Sequence, residues 1–263
     1  MLTASSTKTA LDKIGMLDAA KVVHRFYRKC RSVHLGNMLM LKQVKQGNLL
    51  VDEAKFRAAV GVAIDRFLSR LGDDELGDYL EFGVYNGSTL AIVHDLLEMR
   101  GRTNSRLFGF DSFEGLPSEA NTDDNNIWMP GQYRCPEDFA RDFLTRRGVD
   151  WKRVVLIKGW FSETCTPSTR TSHQMKKAGV IMVDSDLYSS AVEALDFCEP
   201  LIGKHTLIIF DEYYPGGRKD RFLGEEKAFA EFLEAHPDIT SIALDESYSF
   251  GSRMFLLERR AAG

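Results

Sequence analysis

From residue 79 onward the chain alternates short apolar runs with amphipathic stretches, and this rhythm restricts the possible folds more than any other feature. The apolar runs fall at 79–84, 106–110, 153–157, 180–183, 206–210, 239–244 and 252–257. Helical spacing fills 89–99, 137–147, 169–177, 189–201 and 225–235. Each apolar run is of strand length, and a helix between two strands implies a right-handed crossover and a mostly parallel sheet with helices on both faces. The last connection, 245–251, is too short for a crossover helix, so the final strand is expected to return antiparallel. The expectation is an α/β fold with a seven-stranded sheet, six strands parallel and the last antiparallel.

That layout resembles the Rossmann-like sheet of class I methyltransferases more than the dinucleotide-binding dehydrogenase sheet. A length of 263 residues suits one such domain with additions. Phe56, Val60, Ile64, Phe67 and Leu71 share one face of a helix that Asp52 is placed to cap. Residues 1–71 are therefore expected to form a helical N-terminal extension, a lid or a dimer arm in a homo-oligomer, ahead of a cofactor-binding domain at 72–263. The long segment 117–136 follows the second strand and carries Trp128, Met129 and Tyr133, which suits either a cover over the sheet edge or a surface insertion.

Composition serves mainly to exclude. With 34 basic and 38 acidic residues the net charge is −4, so there is no general footprint for nucleic acid. No apolar run approaches the ~18 residues of a membrane span, and the first twenty residues lack a signal-peptide core. Cys30, Cys135, Cys165 and Cys198 are scattered without a C-x-x-C pair. A cytoplasmic protein with small, buried thiols is expected.

The first strand runs into YLEFGVYNGSTL, in which Glu81, Gly83 and Gly87 form E-x-G-x-x-x-G and Ser88 stands at a helix start. A glycine turn between strand and helix lets a ligand approach the backbone closely. The tighter G-x-G-x-x-G dinucleotide fingerprint is absent, and Glu81 would oppose a pyrophosphate while favouring a cation. The sulfonium and ammonium of S-adenosylmethionine meet that requirement. Asp111 ends the second strand, where an acid can hydrogen-bond ribose hydroxyls, although such an aspartate is also a common turn former. After the third strand, Gly159 turns the chain while Trp160 and Phe161 offer flat faces to adenine or to the core. The cofactor-binding set is thus Glu81, Gly83, Val84, Tyr85, Asn86, Gly87, Ser88, Asp111, Ser112, Phe113, Gly159, Trp160, Phe161 and Asp184.

The fourth and fifth strands end in IMVDSDLY and LIIFDEYY. Asp184, Asp186, Asp211 and Glu212 are expected at one sheet edge, where their mutual repulsion would push protons onto some of them. A hard divalent cation relieves that repulsion, and an oxygen-only donor set favours Mg²⁺ over zinc. The plainer alternative is that Asp186 caps the helix beginning near Ser189 and Glu212 faces solvent. Tyr213 and Tyr214 suit either an acceptor pocket or ordinary packing. Of the six scattered histidines, His173 has the best placement for a catalytic test.

In this order, EFGVYNGST, FGFDSFEGLP, KGWFSET, VDSDLYSSAVEAL and IIFDEYY resemble the macrocin O-methyltransferase family across about residues 78–260. The resemblance implies a Mg²⁺-dependent enzyme that methylates hydroxyls of sugars on small natural products, using S-adenosylmethionine. It places Asp184, Asp211 and Glu212 at metal-ligand positions and Glu81, Gly83 and Asp111 at cofactor positions. The family often carries paired aspartates where Asp211-Glu212 stands. Some members place a histidine base three residues beyond the first metal aspartate, where this chain has Leu187. Asp186, or Asp184 itself, is then the nearest base, acting on a small-molecule acceptor with hydroxyl groups.

Overall fold

The computed structural model describes residues 32–72, 74–120, 127–214 and 224–260. The first 31 residues of the expected extension, with Cys30, lie outside them. A first helix, α1, covers 32–45. Then follow α2 (Glu53–Leu71), β1 (Asp78–Phe82), α3 (Ser88–Glu98), β2 (Leu107–Asp111), α4 (Glu137–Arg147) and β3 (Val154–Lys158). Two short helices, α5 (Phe161–Thr164) and α6 (Pro167–Ser172), lead to β4 (Ala178–Val183) and α7 (Tyr188–Cys198). β5 (Ile202–Phe210), α8 (Gly224–Ala235), β6 (Ile239–Ala243) and β7 (Arg253–Arg259) complete the chain.

The seven strands lie in the order β3-β2-β1-β4-β5-β7-β6. β1 pairs in parallel with β2 and β4, and β7 is antiparallel to both β5 and β6. The expected layout of six codirectional strands and one reversed strand is present. β1 and β4 are buried along their whole length, as central parallel strands covered on both faces must be. Alternate side chains divide into two cores. Tyr79, Val180, Met182 and Leu207 face α2, α3 and α4, whereas Leu80, Phe82, Phe110 and Ile181 face α7 and α8. Phe82 stacks on Phe110 with centroids 4.9 Å apart, and removing a ring like Phe82 costs about 3–5 kcal/mol.

α2 forms as expected. The Asp52 carboxylate accepts the Lys55 N–H at 3.1 Å, and Phe56, Val60, Ile64, Phe67 and Leu71 are buried. The helix expected at 169–177 is replaced by α5 and α6. Thr166 caps the latter, accepting the Thr169 N–H at 3.2 Å, and Pro167 occupies its first turn, so the start signal lies upstream of the apolar spacing. Among the described residues no helix is long and apolar enough to cross a membrane.

Candidate active site

Strand order reverses between β1 and β4, since β2 lies on one side of β1 and β5 on the far side of β4. A crevice forms beyond the carboxyl ends of strands at such a point. Here it is an open cavity of about 1180 Å³. The tips of β1 and β4 are very close: a Cβ on Gly83 would lie 1.8 Å from the Asp184 carbonyl oxygen, and Gly83 has φ +96°. Gly87, at φ +81°, occupies the cap position of α3, so Ser88 is the first helical residue and not its side-chain cap. A Cβ there would meet Leu144 at 2.8 Å.

Asp111 holds this turn from the side. Its Oδ2 accepts the N–H groups of Val84 (2.8 Å) and Tyr85 (2.7 Å), and its Oδ1 accepts that of Phe113 (2.6 Å). Tyr85 and Phe113 have positive φ values of 51° and 58°, conformations that cost bulky residues of order 1–3 kcal/mol and persist only where surrounding bonds offset them. Three of the carboxylate's roughly four acceptor sites are thereby used. Burial raises the Asp111 pKa, opposed by these same backbone bonds. Ser112 is likewise occupied, its hydroxyl donating to the Gly115 carbonyl at 3.1 Å.

Glu81 has a different setting from the one expected. It is fully buried behind the turn and does not line the cavity; neither do Gly87 and Phe113. Tyr79 Oη and Thr89 Oγ1 (2.9 Å) donate to its carboxylate. Burial pushes its pKa up to about 8 despite these bonds, with Asp111 adding repulsion. The remaining cofactor candidates, Gly83, Val84, Tyr85, Asn86, Ser88, Asp111, Ser112, Gly159, Trp160, Phe161 and Asp184, all line the cavity. Phe161 also packs edge-on against Phe82 at 5.6 Å, combining the core and pocket readings.

Asp184, Asp186, Asp211 and Glu212 line the same cavity, as the strand ends require. Leu187 holds the cap position of α7, and Asp186, directly before it, has φ +64°. Burial, then repulsion from Asp211, Asp186, Glu225 and Glu81, raises the Asp184 pKa well above the carboxylate range. Burial also raises that of Asp211, opposed by a 2.6 Å hydrogen bond that Tyr248 Oη donates to its Oδ1. The donor set is the all-oxygen kind that suits a hard cation. Among the described residues, however, no three Asp, Glu, His or Cys side chains are arranged to hold a metal ion as they stand.

Several lining residues were not singled out in the sequence. Leu50 and Val51 come from just before α2, Lys55 from its first turn, and Tyr248, Ser249 and Phe250 from the β6–β7 connection. Glu225, fully buried in the first turn of α8, is a fifth acid below the cluster. Of the segment 117–136, Pro117, Ser118, Glu119 and Tyr133 line the cavity, while Trp128 packs with Leu187. Tyr213 and Tyr214 do not line it, and Tyr213 packs against Phe210 and Phe255. His173 also lies away from the cavity, against Phe108.

The family described as Macrocin-O-methyltransferase (TylF) matches residues 63–236. The chain belongs to the macrocin-O-methyltransferase family. Among curated relatives, 149 residues are 30% identical to the 8-demethyl-8-(2,3-dimethoxy-alpha-L-rhamnosyl)-tetracenomycin-C 4'-O-methyltransferase of Streptomyces olivaceus, covering 54% of this chain and 55% of that one. A further 25% identity over 154 residues relates it to the mycinamicin III 3''-O-methyltransferase of Micromonospora griseorubida, covering 55% of this chain and 58% of that one. The chain thus spans about half the length of the curated relatives it matches. Among solved structures, the O-methyltransferase NovP superposes with TM-score 0.58 at 18% identity, over 79% of this chain and 78% of that one. The calicheamicin methyltransferase CalS11 gives 0.57 at 21%, over 77% and 78%. At those identities the likeness is one of fold, and it agrees with the class I O-methyltransferase sheet found here. The macrocin-O-methyltransferase match includes every acid of the cluster but ends before Tyr248.

Proposed function

We propose that this chain is an S-adenosylmethionine-dependent O-methyltransferase acting on a hydroxyl of a sugar-like small molecule of natural-product metabolism. The observation that carries this reading is the continuity of one cavity from the glycine turn and Trp160 to the acids on β4 and β5. The cofactor's nucleoside would lie against Gly83, Tyr85 and Trp160, and its sulfonium would face Asp184. The acceptor oxygen would stand opposite sulfur, about 3–3.5 Å from the methyl carbon. As the oxygen–carbon bond forms and the sulfur–carbon bond breaks, the hydroxyl proton passes to a carboxylate, Asp186 or Asp184. The products are S-adenosylhomocysteine and a methyl ether. A positioned base of this kind contributes typically ~10²–10⁴-fold.

Mg²⁺ would be held by Asp184, Asp211 and Glu212, and when bound it supplies Lewis-acid polarisation of the acceptor's hydroxyls. The fit rests on chemistry: crowded, buried carboxylates with raised proton affinity are relieved by a hard cation. The present side-chain arrangement favours a second reading, transfer without a metal, because no three acids share an ion site among the described residues. Turnover with Mg²⁺ and with EDTA separates the two readings. Loss of turnover in EDTA and in Asp184→Asn, with Asp186→Asn much less affected, supports the metal-assisted reaction; indifference to both overturns it. A cytoplasmic homo-oligomer with no nucleic-acid partner completes the proposal. Residues 1–71 would act as its cover or dimer arm, since Leu50, Val51, Asp52 and Lys55 line the cavity.

A further inference from the structure

Among the described residues Phe250 is the most exposed large apolar side chain, at 93%, and it lines the cavity together with Leu50, which is 52% exposed. The connection that carries Phe250 is firmly held. Ser252 Oγ accepts the N–H groups of Tyr248 and Ser249, each at 3.1 Å, and Ser249 Oγ accepts that of Ser252 at 2.9 Å. Glu246 pairs with Arg66 of α2 at 2.8 Å, and the Tyr248 ring packs edge-on against Phe56 with centroids 4.7 Å apart. A fixed backbone thus presents the Phe250 ring to water, where it adds no hydrophobic stabilisation to the fold. A polar residue would serve the turn between Ser249 and Gly251 equally well.

The neighbours of Phe250 touch the tip of β5. Tyr248 Oη donates to Asp211 Oδ1, and a Cβ on Gly251 would lie 3.1 Å from both Glu212 Oε2 and the Asp211 carbonyl oxygen. An apolar rim therefore stands beside the acids, away from the glycine turn on β1. Lys55 is the sole basic residue among the described lining residues, and its ammonium is paired with Asp52 at 3.1 Å. Such a rim suits an uncharged apolar group and offers little to a phosphate. Leu50 and Phe250 both fall outside the stretch 63–236 that carries the family's shared pattern.

We propose that Phe250, with Leu50, is a specificity-determining contact for an uncharged apolar body joined to the acceptor sugar. The sugar hydroxyl reaches the acids while the rim covers the apolar body. This rests on the sugar O-methylation reading above and adds the form in which the sugar arrives: glycosyl transfer to the apolar body precedes methylation. Covering an exposed aromatic side chain of this size is worth about tenfold or more in affinity.

The test compares three forms of each sugar in a panel of hexopyranoses: the methyl glycoside, the 2-naphthyl glycoside and the nucleoside diphosphate. Methyl transfer from labelled S-adenosylmethionine gives KM for each form, and calorimetry gives S-adenosylhomocysteine affinity. Wild type is expected to show a KM about tenfold or more lower for the naphthyl than for the methyl glycoside of its preferred sugar. Phe250→Ser should reduce that advantage to about threefold or less, and Phe250→Leu should restore most of it. S-adenosylhomocysteine affinity should stay within about twofold, whereas a folding defect would weaken it too. The inference is overturned if the nucleoside diphosphate has the lowest KM, if the naphthyl group gives no advantage, or if the advantage survives in both Phe250→Ser and Leu50→Ser. A wild-type dimer that Phe250→Ser dissociates in sedimentation also overturns it, because a second copy then covers the rim. A chain that binds S-adenosylhomocysteine but methylates no form of any sugar overturns the proposed function itself, and this inference with it.

Discussion

The replacement Glu81→Gln gives the sharpest physical test of the cofactor half of the site. Glu81 is fully buried, and its pKa moves from 4.5 to about 8 chiefly through desolvation. Between those values the folded chain binds a proton at this site that the unfolded chain has released. Stability therefore falls as pH rises through the window, by about 1.4 kcal/mol per pH unit. The cumulative loss by pH 8 is about 3.5 units, or roughly 5 kcal/mol as an upper bound. Glutamine is a close stand-in for the protonated acid, accepting one hydroxyl bond and donating another between Tyr79 and Thr89, and it does not titrate. Urea unfolding of both proteins at several pH values from 5 to 8.5 reads the difference directly. Wild type and variant should be nearly equal near pH 5, with the variant gaining steadily to an advantage of several kcal/mol at pH 8.5. A difference that stays constant across this range refutes the reasoning, because it means Glu81 ionises without penalty.

Further expectations follow from contacts at the crevice. Gly83→Ala should not yield a stably folded chain, since its Cβ would sit 1.8 Å from the Asp184 carbonyl at a φ of +96°; circular dichroism of the expressed protein checks this. Asp111→Asn should destabilise the fold by about 1–3 kcal/mol in thermal or urea unfolding, because an amide cannot accept all of the Val84, Tyr85 and Phe113 bonds. Tyr248→Phe removes the one described hydrogen bond to the Asp211 carboxylate and should cost about 1–2 kcal/mol of stability while leaving S-adenosylhomocysteine affinity unchanged by calorimetry. Asp52→Ala should lower stability through loss of the α2 cap, again read by unfolding.

The sheet was legible because its signals are local and redundant: apolar runs of strand length, the first five each followed by a helix, leave few topologies open. The short 245–251 connection likewise required β7 to reverse, and it does. The acids at the ends of β4 and β5 were legible for the same reason, since strand ends at a switch point share a crevice. What remained hidden depends on side-chain direction. Glu81 lies on the strand beside the crevice, yet its carboxylate turns inward to Tyr79 and Thr89. Asp111 stands where a ribose ligand is expected, but most of its capacity is spent on the backbone turn that its own neighbours strain. Glu225 only begins a helical stretch in the sequence, and the tertiary approach of α8 to the β4 and β5 tips shows it bound to Ser185 and Glu212. Tyr248 sits in a connection whose sequence carries no periodicity, so only the fold brings it to Asp211.

The most direct test of the central claim is where a labelled methyl group goes. The chain would be incubated with S-adenosylmethionine carrying a ¹³C methyl, Mg²⁺, and a panel of sugar-bearing small natural products, and the products examined by mass spectrometry and NMR. The account predicts one labelled methoxy group on a sugar ring carbon of at least one acceptor, formed with equimolar S-adenosylhomocysteine. Label found on nitrogen, or a protein that binds S-adenosylhomocysteine tightly yet transfers nothing to any sugar oxygen in the panel, contradicts it.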